Sequence, residues 1–212
     1  MSIGIIGAGA LGTNLARVFA KAGIPAVISN SRGPASLNGL VAELGGAIKA
    51  GTTQEAANAD IVFLALRWTD LKNVLGGLPA WNGRIVVDAT NNVEWLAPGS
   101  PELKDPANPF AAYGIKVVDL GGRHSSSLVR ELVPGARLVK AFNHLDVTLL
   151  PVPAPTGQRV LFLSGDDADA RGEVRKLMEK GGFFPIDLGP LDVGGPLASP
   201  FGPLASVNLV KI

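Results

Sequence analysis

Short apolar runs recur along the chain, and each is followed by a turn and then by a stretch whose apolar positions return every three or four residues. "SIGIIG", "AVISN", "AIKAG", "DIVFLAL", "GRIVVDATN" and "RLVKAFN" are the apolar runs as far as Asn143. Most are apolar at consecutive rather than alternating positions, as strands buried on both faces are. Between them, "ALGTNLARVFAKAG" predicts an amphipathic helix, with Leu11, Leu15, Val18 and Phe19 on one face and Gly23 as terminator. "PASLNGLVAELGG" predicts a second helix, with Pro34 near its first turn and Gly45 and Gly46 at its end. "TQEAANA", capped by Thr52 or Thr53, and "TDLKNVLGGL" predict two more.

The second half is more broken. Asn92 to Asn108 is rich in Pro and Asn and reads as a long irregular loop. "GIKVVDLGG" predicts a strand. "SSSLVRELVPGA" predicts a helix capped by one of Ser125, Ser126 or Ser127, with Glu131 in capping-box position. "RVLFLSGDDADARGEVRKLMEKGGFFPIDLG" reads as strand, helix and strand, with Asp166 or Asp167 as cap. In the Gly/Pro-rich tail only "LASVNLVKI" has the pattern of a short element. Strands alternating with helices predict an α/β fold of Rossmann type, a doubly wound and mostly parallel sheet with a short C-terminal extension. We divide it into a dinucleotide-binding core, residues 1–150, and a C-terminal strand-helix-strand unit with its tail, residues 151–212, packed on the same domain.

Composition narrows the function. With a formal net charge of +1 and 17% charged residues, the chain lacks the cationic surplus that nucleic-acid binding demands. It has no cysteine, hence no disulfide, thiol nucleophile or thiolate metal site. Two histidines, His124 and His144, give no metal-ligand spacing. No leader or bilayer-length apolar run is visible, so a cytoplasmic protein without membrane or metal is expected.

Ligands of such sheets bind at the carboxyl ends of the strands. The first such turn is Gly7-Ala8-Gly9-Ala10-Leu11-Gly12, a G-x-G-x-x-G between strand and helix. Gly7 permits the turn, Gly9 lets a pyrophosphate approach the backbone, and Gly12 allows close helix-strand packing. After the second strand, NAD-preferring enzymes place a carboxylate for the ribose hydroxyls. This chain has Asn30, Ser31 and Arg32 there. An amide removes the repulsion toward a 2′-phosphate, the hydroxyl donates to it, and the guanidinium makes charge-assisted bonds. NADP(H) is therefore the expected cofactor.

Together with "SNSRGP", "LALRW", "DATNN", "KAFNH" and "SGDDADARGEVRKLMEKGGFFPIDLGPL", the glycine loop resembles the family of NADP oxidoreductases that use the deazaflavin coenzyme F420. A related module is the cytosolic NADPH-binding domain of membrane ferric reductases. The resemblance implies hydride transfer between nicotinamide and a flavin-type ring. It places Leu66, Arg67 and Trp68 along the cofactor, Thr90, Asn91 and Asn92 near the nicotinamide ribose, and Ala141, Phe142 and Asn143 beside the nicotinamide. It also implies a small-molecule acceptor, coenzyme F420 or another flavin-type compound, and a homodimer. The chain departs from the pattern at Asn92, where Pro is common, and at His144, where a small polar residue is common.

Since the cofactors carry the electronics of such a transfer, no catalytic side chain is expected. His144 is a candidate for the acceptor pocket or for a structural role. Ser125 to Ser127 fit capping, and Asp166, Asp167 and Asp169 fit a helix start. Trp68 fits ring stacking or packing; Trp81 and Trp95 fit packing. Other readings are an NADPH-dependent flavin or ferric reductase, an imine or hydroxy-acid reductase, which generally needs a further helical domain, and a non-catalytic NADP-binding regulator.

Overall fold

A computed structural model describes residues 1–212. The strands are β1 (Ile3–Ile6), β2 (Ala26–Ser29), β3 (Ile48–Ala50), β4 (Ile61–Leu64), β5 (Ile85–Asp88), β6 (Val93–Trp95), β7 (Ile115–Val117), β8 (Arg137–Ala141), β9 (Gln158–Gly165), β10 (Phe184–Asp187) and β11 (Val210–Lys211). The helices are α1 (Ala10–Lys21), α2 (Asn38–Leu44), α3 (Thr53–Ala57), α4 (Leu71–Leu75), α5 (Ser125–Leu132), α6 (Ala168–Lys180) and α7 (Leu191–Ala198). The main sheet runs β10-β9-β8-β5-β4-β1-β2-β3, with β11 added to β9. Its neighbours are parallel except at β8–β9 and β11–β9. The Rossmann-type α/β fold is thus the one the pattern predicts.

Why the central strands read as unbroken apolar runs is now clear: β1, β4 and β5 are buried along their whole length. One layer packs Ile3, Ile5, Phe63 and Val87 under α1 and α6, with Leu15, Phe19, Val174 and Met178 as helix-side partners. The opposite layer packs Ile6, Val62, Leu64 and Val86 against Ala56, Leu71, Trp81 and Val129. Thr52 closes a capping box with Glu55, and Asp167 Oδ1 accepts from the Ala170 N–H at 2.7 Å to start α6.

The segment 114–122 holds the expected strand, β7, which pairs antiparallel with β6 in a separate two-stranded sheet. Three expectations are corrected. The loop before β7 is therefore less irregular than its composition suggests. No serine caps α5: His124 holds the cap position without a side-chain bond, and Glu131 pairs with Arg123 instead. The serine hydroxyls turn toward other acceptors, Ser126 toward buried Asp88 and Ser127 toward the His124 carbonyl, so they are not free to close a box. Finally, the tail holds an unexpected helix, α7, despite Pro196 within it. Its glycines permit the contact, because a Cβ on Gly194 would stand 2.7 Å from the Ser164 Cβ on β9.

Glycine at position 4 is dictated by packing. A Cβ there would lie 1.9 Å from the Ala56 carbonyl oxygen of α3. Gly39 in α2 has open space around it. In urea unfolding, Gly4→Ala should cost about 1–3 kcal/mol through overpacking, whereas Gly39→Ala should be neutral or gain about 0.5 kcal/mol from helix propensity. Equal effects at the two positions would contradict the packing explanation.

Candidate functional site

The turns after β1, β2 and β4 enclose a cleft of about 820 Å³. At its floor, Gly7 has φ +105°, and a Cβ there would come 2.2 Å from the Ala65 carbonyl oxygen. A Cβ on Gly12 would come 1.9 Å from the Gly7 carbonyl oxygen, so helix and strand meet as closely as backbone allows. Above Gly9 nothing lies within 4 Å of where a Cβ would stand. Gly9 is the N-cap of α1 and offers no side chain, and the N–H groups of Gly9, Ala10, Leu11 and Gly12 have no acceptor within the protein. Free N–H groups at the positive end of a helix dipole, beside open space, suit an anion such as a diphosphate.

Asn30 does more than remove a charge. Its Oδ1 accepts from the Arg32 N–H at 3.0 Å, and its Nδ2 donates to Ser36 Oγ at 2.9 Å. The amide thereby folds the turn that presents Ser31 and Arg32. Ser36, which the sequence reading passed over, in turn donates to the Gly33 carbonyl at 2.7 Å. Arg32 is exposed on the cleft wall, and its guanidinium makes no ion pair or hydrogen bond within the protein. Arg67 stands on the same cleft in the same unpaired condition.

The cleft brings together Gly7, Ala8, Gly9, Asn30, Ser31, Arg32, Leu66 and Arg67. Thr53, Gln54, Asp70 and Asn73 join them without having carried any motif. Ala10, Leu11 and Gly12 lie on the helix behind the floor, where Leu11 packs on the core. Trp68 packs against the apolar layer of Leu71 and Trp81 and does not line the cleft.

Thr90, Asn91, Ala141, Phe142 and Asn143 form a second group where β5 and β8 end. Asn91 Nδ2 donates to the Asn143 carbonyl at 2.8 Å, and Asn143 Nδ2 donates to Asn91 Oδ1 at 3.1 Å, so the two turns are tied face to face. Phe142 sits at φ +63°, a rare conformation for a large side chain, with its ring in the core edge-on to Phe63 and Phe183. Ala141 is likewise a core residue. The Asn143 Nδ2 also donates to the Ala198 carbonyl at 2.9 Å, which leaves Oδ1 as the unpartnered atom of that amide.

Beneath both turns lies a buried ion pair that the sequence reading missed. Lys140 Nζ stands 3.0 Å from Asp88 Oδ2, with side-chain exposures of 1% and 0%. Lys140 also donates to the Thr90 carbonyl. Asp88 accepts from the Thr90 N–H at 3.0 Å, from Thr90 Oγ1 at 2.7 Å and from Ser126 Oγ at 2.9 Å. Charges this deep are tolerated only when paired and fully hydrogen-bonded, and the network fixes Thr90 from both sides. A charged residue directly after an apolar stretch, in "VVDA" and "LVKAF", was the available signal.

His144 is buried against Phe162, ring centroids 4.8 Å apart, and neither ring nitrogen has a partner. Burial alone pulls its pKa down from 6.5 to about 4. His124, half-buried, is also held below its usual value, chiefly by burial and then by Arg130.

The fold matches that of Rossmann-like NADP-binding reductases. Residues 2–92, the segment that builds the cleft, match the model of the family described as NADP oxidoreductase, coenzyme F420-dependent. The chain is 43% identical to a hypothetical protein from Sinorhizobium meliloti of known structure, at a TM-score of 0.87, covering 100% of this chain and 97% of that one. A candidate F420-dependent NADP-reductase from Arthrobacter sp. FB24 is 23% identical, with a TM-score of 0.68 over 90% of this chain and 86% of that one. The metalloreductase STEAP3 of Rattus norvegicus is 26% identical over 191 residues, 89% of this chain but 34% of its own length, so the chain spans about a third of that relative. Residues 2–92 are thus similar to the F420-dependent NADP oxidoreductase family. No helix in it is long and apolar enough to cross a membrane.

The depressed pKa of His144 links stability to pH. An unfolded imidazole takes a proton below about pH 6.5, while the folded one stays neutral to about pH 4, so stability present above 6.5 is lost as pH falls through that window. Between pH 7.5 and 5 the wild type should lose about 2 kcal/mol more than His144→Phe in urea unfolding. Parallel pH profiles would show that His144 is protonated as easily folded as unfolded.

Proposed function

We propose that this NADP-dependent oxidoreductase passes hydride between NADP(H) and a flavin-type acceptor, with coenzyme F420 as the first choice. The observation that carries the cofactor half is the unpaired Arg32 guanidinium on the cleft wall, in line with the open backbone above Gly9. The residues fit the group: free N–H donors of Gly9 to Gly12 for the diphosphate, and Ser31 and Arg32 for the 2′-phosphate. Arg67, Leu66 and Ala8 line the path between them. Bound NADPH supplies the two electrons and the hydrogen as hydride. The chain's part is orientation: the paired Asn91 and Asn143 hold the turns after β5 and β8 in register, and Lys140 and Asp88 hold those turns from beneath.

The acceptor half rests on the family, whose description names coenzyme F420. A second reading, NADPH-dependent flavin or ferric reduction, is favoured by the likeness to STEAP3, which is named a metalloreductase. Both readings share the cleft and differ only in what meets the nicotinamide.

Arg32→Ala tests the cofactor assignment. NADPH affinity should fall about 10- to 150-fold, the equivalent of roughly 1.5–3 kcal/mol, with NADH affinity nearly unchanged. Equal losses for both would remove the 2′-phosphate from Arg32. NADPH consumption in the presence of F420, FMN or a ferric chelate then tests the acceptor. Turnover confined to F420 supports the first reading, turnover with FMN or ferric chelate supports the second, and cofactor binding without turnover of any overturns both.

A further inference from the structure

A second cavity, about 280 Å³, shares no residue with the dinucleotide cleft. It lies where the ends of α1 and α6 meet the Leu150–Ala154 segment and the start of β9. Its wall contains Lys21, Arg159 and Lys180 and no carboxylate. None of the three cations is within ion-pair distance of an Asp or Glu anywhere in the chain.

Arg159 is the anomaly. It is 5% exposed and carries a guanidinium. Its guanidinium donates only to neutral oxygens, Asn208 Oδ1 and the Val152 carbonyl at 3.3 Å, and its buried Nε has no partner. A desolvated charge without a counter-charge is costly, and folded proteins pair such groups. Lys21 and Lys180 have an ordinary explanation, since each sits in the last turn of its helix, where a cation suits the dipole. That explanation does not reach Arg159, which lies in β9. Leu150, Pro153 and Phe183 make the remaining wall apolar.

We propose that this cavity binds a small organic anion, a carboxylate or phosphate head on a compact apolar body, with the head beside the Arg159 guanidinium and between the two lysines. The ligand supplies the counter-charge that Arg159 lacks, and the apolar wall takes its body. The site is separate from the cofactor cleft, so its occupant is neither NADP(H) nor a competitor of it.

Benzoate, phenyl phosphate and the neutral benzyl alcohol are suitable probes, followed by thermal unfolding and by the Arg159 Nε–H resonance. Saturable stabilisation by benzoate or phenyl phosphate, with a shift of that resonance and none from benzyl alcohol, is the expected result; which anion binds more tightly tells carboxylate from phosphate. Because replacing Arg159 endangers folding, the variant is Lys21→Gln with Lys180→Gln, two exposed positions. It should weaken the anion at least tenfold and leave NADPH affinity unchanged. No saturable binding by either anion, equal stabilisation by benzyl alcohol, unaltered affinity in the double variant, or displacement of the anion by NADPH would each overturn the proposal.

Discussion

The architecture turns on one contact of backbone with backbone, where α1 meets the turn out of β1. Glycine at position 12 lets the helix rest directly on the Gly7 carbonyl, and glycine at position 7 lets the turn rest on the Ala65 carbonyl. With helix, first strand and fourth strand locked together so tightly, the start of α1 can only open into the cleft between the turns of β1, β2 and β4. The helix then has no side chain available to cap its own first turn. Its unmet donors are a consequence of the same packing that makes the fold compact, and they are also what the cofactor requires.

Polar groups at the other end of the edge follow a different logic. Asp88 and Lys140 stand near the ends of β5 and β8, beyond the apolar stretches of those strands, and they satisfy each other along with Thr90 and Ser126. Such a pair contributes less to net stability than to fixing one arrangement, because removing either partner leaves the other charged and buried. Here the arrangement fixed is the pair of turns carrying Asn91 and Asn143. On the proposed reading, holding that arrangement is this edge's contribution to orienting the reacting rings.

The sequence showed most of the sheet because burial on both faces leaves a simple trace, consecutive apolar residues as in "DIVFLAL". The glycine loop was legible for the same kind of reason: Gly7, Gly9 and Gly12 each answer a separate steric demand at fixed spacing. What stayed hidden depended on partners far apart in the chain. Ser126 looked like a helix cap because its attraction to Asp88, 38 residues away, leaves no local trace. The strand Ile115–Val117 was legible as a strand, but local pattern does not say that its neighbour is β6 rather than the main sheet. Helix α7 was obscured by Gly194, Gly195 and Pro196, whose small size and missing donor read as loop until Ser164 is seen beneath them. At the site, Asn30 was read for its missing charge, while its hydrogen bonds to Arg32 and Ser36 needed the folded turn to be visible.

The central claim is that a dinucleotide's diphosphate sits on the bare donors at the start of α1. Titrating NADP+ into ¹⁵N-labelled protein and following the backbone amides tests it most directly. The largest downfield shifts should fall on Gly9, Ala10, Leu11 and Gly12, with smaller ones at Ser31 and Arg32. Shifts that leave those four amides in place while others move would place the cofactor elsewhere and contradict the account.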